Sequence, residues 1–222
     1  FETFHTFYAF LPLLILATIK YLHKPTIARY LLLYTLSFLA SPAFYTQTLF
    51  IVFGLSLIPI FTEHFISHKY KAKSLFVILK SLFIILISNL FWLLPVIFFV
   101  LNNATVSLKS KTNLIATPET FLRNLEFGHL KDIAILKGFW FNYIDLSGTG
   151  QFDYLMQVWR THLESNTVIT IGYLLSFLVL IGIFYSLKKK LPYSSSMLGI
   201  FSISFFFLLG GSEVMGNNIP LV

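Results

Sequence analysis

The segment from residue 81 to residue 101 contains no charged side chain and includes the sequence NLFWLLP at positions 89–95. A helix of about 20 apolar residues, rising about 1.5 Å per residue, is long enough to cross about 30 Å of hydrocarbon. Only 11% of the 222 residues are charged and 56% are hydrophobic, whereas soluble domains carry about 25% charged residues. This segment therefore predicts a transmembrane helix in a chain that crosses the membrane several times.

Six apolar segments are long enough to be considered as membrane spans. They are residues 6–22, 30–44, 48–66, 81–101, 167–187 and 191–209. The second is short for a full crossing, so it forms either a tight hairpin with the third (residues 30–66) or a full span. Either interpretation leaves the later topology unchanged. The predicted fold is all-α, a polytopic integral membrane protein with about six transmembrane helices and a helical outer loop.

Three regions follow from this pattern. Residues 1–101 hold transmembrane helices 1–4, residues 102–166 form a loop outside the cytoplasm with short amphipathic helices, and residues 167–222 hold helices 5–6 and the start of the next outer segment. Residues 74–80, flanked by Lys73 and Lys80, are predicted to form a short interfacial helix before the fourth span.

The distribution of charge sets the predicted orientation. Ten of the 16 basic residues lie in three connectors that the topology places on one side. They are Lys20, Lys24, Arg29, Lys69, Lys71, Lys73, Lys80, Lys188, Lys189 and Lys190. The loop at residues 102–166 carries six basic and six acidic residues. The positive-inside rule therefore places the connectors in the cytoplasm and the loop outside, in a membrane that we expect to be a prokaryotic cell membrane. The net charge of +7 thus reflects topology and does not indicate nucleic-acid binding.

Several kinds of site are excluded or disfavoured. The chain has no cysteine, which excludes disulfides, thiolate metal sites and cysteine nucleophiles. No phosphate-binding glycine loop or serine-hydrolase elbow is present. His64 and His68 have the i, i+4 spacing of two metal ligands, but no third ligand follows, so a pair facing the lipid headgroups is the favoured interpretation and no metal site is assigned. Because the chain starts without Met and ends within a loop-like segment, we expect an internal piece of a longer protein.

The outer loop contains several predicted elements. Residues 102–117 are polar and expected to be extended. Thr117 and Pro118 start a short helix that ends near Gly128. A second helix is predicted over residues 130–137, followed by aromatic residues at 139–143 and a turn at 145–150.

Residues 151–164 show the clearest amphipathic pattern in the loop. The apolar positions fall on one helical face: Phe152, Leu155, Met156, Trp159 and Leu163. This spacing predicts a helix that either lies on the bilayer and gates a lipid-linked substrate or packs on the ends of the spans.

The candidate substrate-binding residues are Trp140, Asp145, Asp153, Trp159 and Arg160. Aromatic faces stack on sugar rings, and carboxylates accept hydrogen bonds from hydroxyls or act as bases. A structural or solvated role is the alternative for each, and the sequence does not fix their mutual geometry.

Polar residues within the fourth span have a different interpretation. Asn89 is expected to hydrogen-bond to a neighbouring helix rather than to bind a ligand. Trp92 is expected to anchor the helix at the membrane interface, and Pro95 can kink the helix near its outer end.

The order of these features resembles the middle of the GT-C superfamily of membrane glycosyltransferases, in particular its arabinofuranosyltransferase-like members. The features that carry the resemblance are the span opening at residues 4–13, the hairpin with Ser41 and Pro42, the basic interfacial segment, NLFWLLP, Gly138–Trp140, Ser165 with Asn166, and the ending at residues 205–220. They extend over most of the chain, but none of them is a catalytic motif.

The resemblance implies transfer of a sugar from a polyprenyl-phosphate donor to a cell-envelope glycan, lipid or protein acceptor outside the membrane. It implies a catalytic carboxylate upstream of residue 1 and, in some members, Mg or Mn, although no cofactor site can be identified here. The expected partners are membrane lipid, the lipid-linked donor and the acceptor, and not nucleic acid. The alternatives are a transporter or flippase of lipid-linked glycans and a non-enzymatic membrane subunit of an envelope complex.

Overall fold

The computed structural model describes residues 2–109, 130–135, 144–146, 152–154 and 156–209. The chain divides into two compact units. The first unit contains Phe1–Lys109 and Ser195–Ile200, and the second contains Ser110–Ser194 and Phe201–Val222. The predicted helix at residues 117–128 and the aromatic segment at residues 139–143 lie outside the described residues.

The helices of the chain follow the predicted apolar segments. They are α1 (Glu2–His23), α2 (Ile27–Leu39), α3 (Ser41–Phe44), α4 (Gln47–Ser67), α5 (Lys71–Lys109), α6 (Leu130–Ala134), α7 (Gln157–Leu163), α8 (Asn166–Lys188) and α9 (Ser194–Leu209). Two short strands, β1 (Ile144–Leu146) and β2 (Phe152–Tyr154), form an antiparallel pair between α6 and α7.

Four helices are long and apolar enough to cross a membrane: α1, α4, α5 and α8. This confirms the prediction of a largely helical, polytopic membrane protein. The other two predicted spans correspond to shorter apolar helices, α2 with 13 residues and α9 with 16. At about 1.5 Å per residue, α2 extends for about 20 Å, which is shorter than the hydrocarbon core.

The turn between α2 and α4 is buried within the first unit. Ala40, Ala43 and Phe44 have no exposed surface. The backbone amides of Ala43 and Thr46 donate to the carbonyls of Ala40 and Ala43, so the turn meets its hydrogen-bonding needs locally. Such irregular backbone is compatible with membrane depth where protein covers it.

Aromatic side chains pack around this turn. The Phe44 ring stacks on Phe53 at a centroid distance of 5.6 Å and meets Phe7 edge-on at 6.4 Å. Phe50 meets Trp92 of α5 edge-on at 5.3 Å. These contacts join α1, α3, α4 and α5 at one end of the first unit.

The two basic connectors of the first unit lie together at its other end. Arg29 closes the end of α1 by donating from Nη1 to the carbonyls of Lys20 and Lys24, at 2.6 and 3.2 Å. Lys71 closes the end of α4 by donating from Nζ to the carbonyls of Phe65 and Ile66, at 2.5 and 2.7 Å. Each cation satisfies carbonyls that a helix end leaves without a partner.

Helix α5 corrects two predictions. It is continuous from Lys71 to a kink at Asn103 (φ −129°, ψ 18°), so residues 74–80 are not a separate interfacial helix. Beyond the kink the chain is helical again to Lys109, so residues 102–109 do not form an extended segment. The non-helical angles lie at Asn103 and not at Pro95. Polar residues such as Asn102 stay helical because their side chains bond within the helix, as Asn102 does to the Phe98 carbonyl at 2.8 Å.

The second unit corrects the predicted amphipathic helix. Residues 152–154 form strand β2, and helix begins only at Gln157. Phe152 and Tyr154 fit the alternating pattern of a strand as well as the periodicity of a helix. Pairing with β1 favours the strand. Because Asp145 and Leu146 belong to β1, the predicted turn at 145–150 is wrong at its start. Residues 147–150 lie outside the described residues.

The start of α8 follows from local chemistry, as predicted for a span near residue 167. Ser165 is its N-cap, and its hydroxyl accepts from the Val168 amide at 3.4 Å. Serine is among the residues preferred at this position. Near the start of α8, the Ser176 hydroxyl donates to the Ala134 carbonyl of α6, and Gly172 lies against Ile135.

Candidate functional site

Two of the predicted acidic residues are paired by strand register. Asp145 of β1 and Asp153 of β2 are direct partners across the antiparallel pair, between Ile144–Tyr154 and Leu146–Phe152. The register of the backbone therefore places these two positions opposite each other on neighbouring strands.

Arg160 of α7 lies against the residue that follows Asp153. Its guanidinium carbon is 3.7 Å from the centroid of the Tyr154 ring, in a cation–π contact. Its Nε donates to Glu164 Oε1 at 2.9 Å, one turn further along the helix. Its Nη1 is buried and has no hydrogen-bond partner. A buried donor without a partner costs about 1–3 kcal/mol, so this nitrogen is the part of the side chain that a ligand oxygen would stabilise.

Trp159 is the neighbouring aromatic candidate. Its side chain is 58% exposed, and its ring meets the His162 ring edge-on at 6.3 Å. Helix α7 has no buried residue within the part of the chain that the structure describes. A large exposed aromatic face is a surface on which a sugar ring can stack.

The predicted set is thus partly assembled. Asp145 and Asp153 are brought together by register, and Arg160 and Trp159 follow on the next helix. Trp140 lies outside the described residues. The five residues were chosen from sequence as separate candidates, and the register between the two aspartates is the relation that sequence could not provide.

The fit to a divalent metal can be tested on the described residues. Among them, no group of three or more His, Asp or Glu side chains is placed to hold a metal ion. The Mg or Mn implied by the family resemblance therefore has no donor set in this part of the chain, and no step of the chemistry is assigned to a metal.

The histidine pair of α4 differs from its prediction. The His64 and His68 rings are 4.0 Å apart at their centroids, and His68 Nδ1 donates to the His64 carbonyl at 2.8 Å. His64 is only 2% exposed, so the prediction that both rings face the headgroups is wrong for His64. The pair belongs to the packing at the end of α4.

A second polar cluster lies between α2 and α5. Asn89 Nδ2 donates to Ser37 Oγ and to the Ile85 carbonyl, each at 2.9 Å, and Asn89 Oδ1 accepts from Trp92 Nε1 at 2.9 Å. The interhelical hydrogen bond predicted for Asn89 is confirmed. Trp92 is buried at 6% exposure, so its predicted role as an interfacial anchor is wrong. The Trp92 ring packs inward because its only hydrogen-bond donor, Nε1–H, donates to Asn89 Oδ1.

The sequence-based prediction missed a third cluster, at Glu63 of α4. Glu63 Oε2 accepts from the backbone amide and from the hydroxyl of Ser196, both at 2.7 Å. A carboxylate at the first turn of a helix satisfies amides that lack partners and interacts favourably with the helix dipole. The signal in the sequence is an acid near the end of an apolar helix and a run of three serines at residues 194–196, separated by more than a hundred residues.

Comparison with known proteins does not add a relative. A scan against models of known families, a search of curated proteins and a search of solved structures each found no match. The resemblance to GT-C glycosyltransferases stays a prediction.

Proposed function

We propose that the protein is an integral membrane glycosyltransferase that uses a polyprenyl-phosphate-linked sugar as donor. The observation that carries the proposal is the uncommitted Nη1 donor of Arg160, beside a strand pair in which Asp145 faces Asp153. A lipid-linked sugar presents both a phosphate and a ring of hydroxyls. The residues around β2 and α7 supply a partner for each.

Arg160 is the proposed contact of the donor phosphate. Guanidinium groups bind phosphate oxygens with charge-assisted and often bidentate hydrogen bonds. Glu164 engages Nε, and the Tyr154 ring supports the face of the guanidinium. Because Nη1 has no hydrogen-bond partner, it is the donor proposed to bind a phosphate oxygen.

Asp145 and Asp153 are the proposed contacts of sugar hydroxyls, and Trp159 is the proposed stacking surface. A carboxylate accepts charge-assisted hydrogen bonds from hydroxyl groups, which makes binding favourable. In the reaction, the acceptor oxygen forms a bond to the anomeric carbon while the bond from that carbon to the phosphate oxygen breaks. A carboxylate base takes the acceptor proton, and polyprenyl phosphate leaves. Arg160 stabilises the charge that develops on that phosphate.

The position of these residues along the chain supports a membrane-bound substrate. They lie between α5 and α8, two helices long and apolar enough to span a bilayer. A polyprenyl chain is soluble in the hydrocarbon, so its phosphate is held at the membrane surface. We place this segment outside the cytoplasm because the basic connectors favour the cytoplasmic side for the opposite helix ends.

The proposal is tested by reconstituting the protein in liposomes with radiolabelled pentoses and hexoses linked to polyprenyl phosphate. Extracted cell-envelope glycans, lipids and proteins serve as acceptors. Transfer of label to an acceptor, with an equal amount of polyprenyl phosphate released, is the expected result. Label that crosses the bilayer still attached to its lipid would instead establish a flippase. Neither transfer nor movement would reject both activities and leave a non-enzymatic subunit.

The flippase alternative predicts polar groups at membrane depth that are free to bind a passing headgroup. The buried amide of Asn89 is instead saturated by Ser37, Ile85 and Trp92. Glu63 is likewise engaged by Ser196. In the described spans, these two groups have structural partners, which favours the transferase.

A further inference from the structure

A cleft lies at the basic end of the first unit, where the α1–α2 connector meets the start of α5. Its volume is about 390 Å³. The wall from α1 and α2 includes Tyr21, Thr26 and Tyr30, and the wall from α5 includes Lys73 and Lys80. The proposed transferase activity does not involve this cleft, which is built entirely from residues of the first unit.

One face of α5 forms the basic wall. Lys73, Phe76, Val77 and Lys80 have the i, i+3, i+4, i+7 spacing of a single helical face, and all four line the cleft. The Lys80 ammonium lies 4.4 Å from the centroid of the Phe76 ring. Since a helical side chain leans toward the helix N-terminus, this contact draws the Lys80 charge back toward the end that carries Lys73.

Among the described residues, no acidic side chain lines the cleft. Residues 3–109 contain a single acidic residue, Glu63, and its carboxylate binds Ser196. The nearby basic residues Arg29 and Lys71 each close a helix end, whereas Lys73 and Lys80 line the open cleft. An anion in the cleft would meet both ammonium groups without displacing an ion pair.

The N-terminus of α2 adds to the same field. Thr26 and Ile27, at the start of α2, line the cleft, and Lys73 lies in the first turn of α5, which begins at Lys71. Neither helix has an acidic residue in its first turn. The N-terminus of a helix carries a partial positive charge, so lysine in the first turn of α5 is unfavourable unless an anion compensates it.

The remaining lining is apolar and open to the surroundings. Ile27 is 80% exposed and Phe76 is 58% exposed. Both lie near the ends of helices that are apolar further along, and the ends of membrane-spanning helices lie where headgroups meet hydrocarbon. A small soluble anion would leave these side chains uncovered, whereas the glycerol and upper acyl carbons of a lipid would cover them.

We propose that this cleft binds the phosphate group of an anionic membrane lipid. Lys73 and Lys80 neutralise the phosphate, the N-terminus of α2 lies beside it, and Ile27 and Phe76 contact the apolar part of the same molecule. The shared chemistry is a phosphate anion, and its source is a lipid of the surrounding bilayer.

The experiment uses the purified protein in uncharged detergent, titrated with dioleoylphosphatidylglycerol and followed by native mass spectrometry. Dioleoylphosphatidylcholine and inorganic phosphate are titrated in parallel. The double variant Lys73→Gln/Lys80→Gln is expected to weaken phosphatidylglycerol binding roughly 30-fold, since each lysine near a membrane surface contributes a several-fold preference for anionic lipid. The variant Lys73→Arg/Lys80→Arg is expected to retain binding, which separates loss of charge from loss of fold.

The matched control is Lys69→Gln/Lys188→Gln, which removes the same charge from exposed positions that do not line the cleft. It is expected to bind phosphatidylglycerol within about twofold of the parent protein, well inside the several-fold effect of a single lysine in contact with anionic lipid. Equal losses in the control and the cleft variant would overturn the proposal, because they would show a general surface effect. Binding of phosphatidylcholine as tight as that of phosphatidylglycerol would also overturn it. So would binding of inorganic phosphate at Lys73 and Lys80 with an affinity that phosphatidylglycerol does not exceed. That last result would assign the cleft to a free phosphate compound.

Discussion

Helices α4 and α8 are similar in length and both are apolar enough to span a membrane, yet they pack very differently. A third of the apolar window of α4 is buried, whereas none of the window of α8 is. The difference comes from contacts between helices. Helix α4 contributes Phe53, whose ring stacks on Phe44, and Glu63, which binds Ser196. Helix α8 contributes Gly172, which lies against Ile135, and Ser176, whose hydroxyl donates to the Ala134 carbonyl.

The comparison shows that apolar character places a helix in the membrane but does not choose its neighbours. Lipid tails are as apolar as leucine, so association depends on close packing and on hydrogen bonds between helices. The first unit has both, in the Asn89 cluster and in the aromatic contacts around Phe44. In the second unit, the polar contacts instead concentrate at β2 and α7, outside the apolar helix, where a ligand can reach them.

The largest effect is expected for the variant Asn89→Leu. The change removes the bond to Ser37 and leaves Trp92 Nε1 without an acceptor, so the free energy of unfolding should fall by about 2–3 kcal/mol. Thermal unfolding in detergent measures the loss. The control is Asn102→Leu in the same helix, where the amide is exposed and bonds only to its own helix. An equal loss in both variants would mean that the first unit does not depend on its buried amide.

The variant Arg160→Gln is the corresponding change in the second unit. It should lower sugar transfer by about 10- to 100-fold, because one charge-assisted bond to the donor phosphate is lost. Thermal stability should change little. Lys131→Gln removes the same charge from an exposed position of α6 and should leave transfer unchanged. A parallel loss of stability and transfer in Arg160→Gln would assign this residue to the fold of the second unit.

The same substitution at two glutamates compares the units directly. Glu63→Gln weakens the contact with the Ser196 amide and should cost about 1 kcal/mol. Hydrogen exchange at that amide should then be about fivefold faster, from the Boltzmann factor of that cost. Glu164→Gln breaks an exposed ion pair with Arg160 and should cost less than about 0.5 kcal/mol. A larger loss of stability in Glu164→Gln than in Glu63→Gln would mean that the half-buried contact of Glu63 is not stronger than the exposed ion pair.

Two glycines of α8 differ in what surrounds them. A Cβ at Gly172 would lie 2.8 Å from Ile135 Cγ2, whereas a Cβ at Gly182 would meet nothing within 4 Å. Gly172→Ala should therefore speed amide exchange in α6, and Gly182→Ala should slow exchange in α8 through its gain of about 1 kcal/mol in helix propensity. Identical exchange in the two variants would mean that the contact between α6 and α8 does not form.

The helical part of the fold could be predicted because its signals are local. The lengths of the apolar segments predicted α1, α4 and α8 closely. The same reasoning recognised that Asn89 needs a hydrogen-bonding partner inside the membrane. It could not identify Ser37, which is 52 residues away in sequence. It also misread Trp92, because the usual preference of tryptophan for the interface is overridden by an acceptor three residues earlier.

The candidate site was less predictable because its geometry is nonlocal. The sequence fits a helical periodicity over residues 151–164 and also a strand-like alternation over residues 152–154. Only the pairing with β1 shows that residues 152–154 form a strand. Asp145 and Asp153 could be named as candidates, but not as partners. Glu63 was missed because its own neighbours give no hint of Ser196.

The buried turn between α2 and α4 has a consequence for how the chain is made. A segment of 13 residues is too short to enter a membrane as an independent span, and the turn at its end packs on α1 and α4. We therefore expect α2 and α4 to enter the bilayer together, as a hairpin beside an α1 that is already in place. Because the first unit also includes Ser195–Ile200, its last contacts form only after the ribosome has passed residue 200, long after α5 has been made.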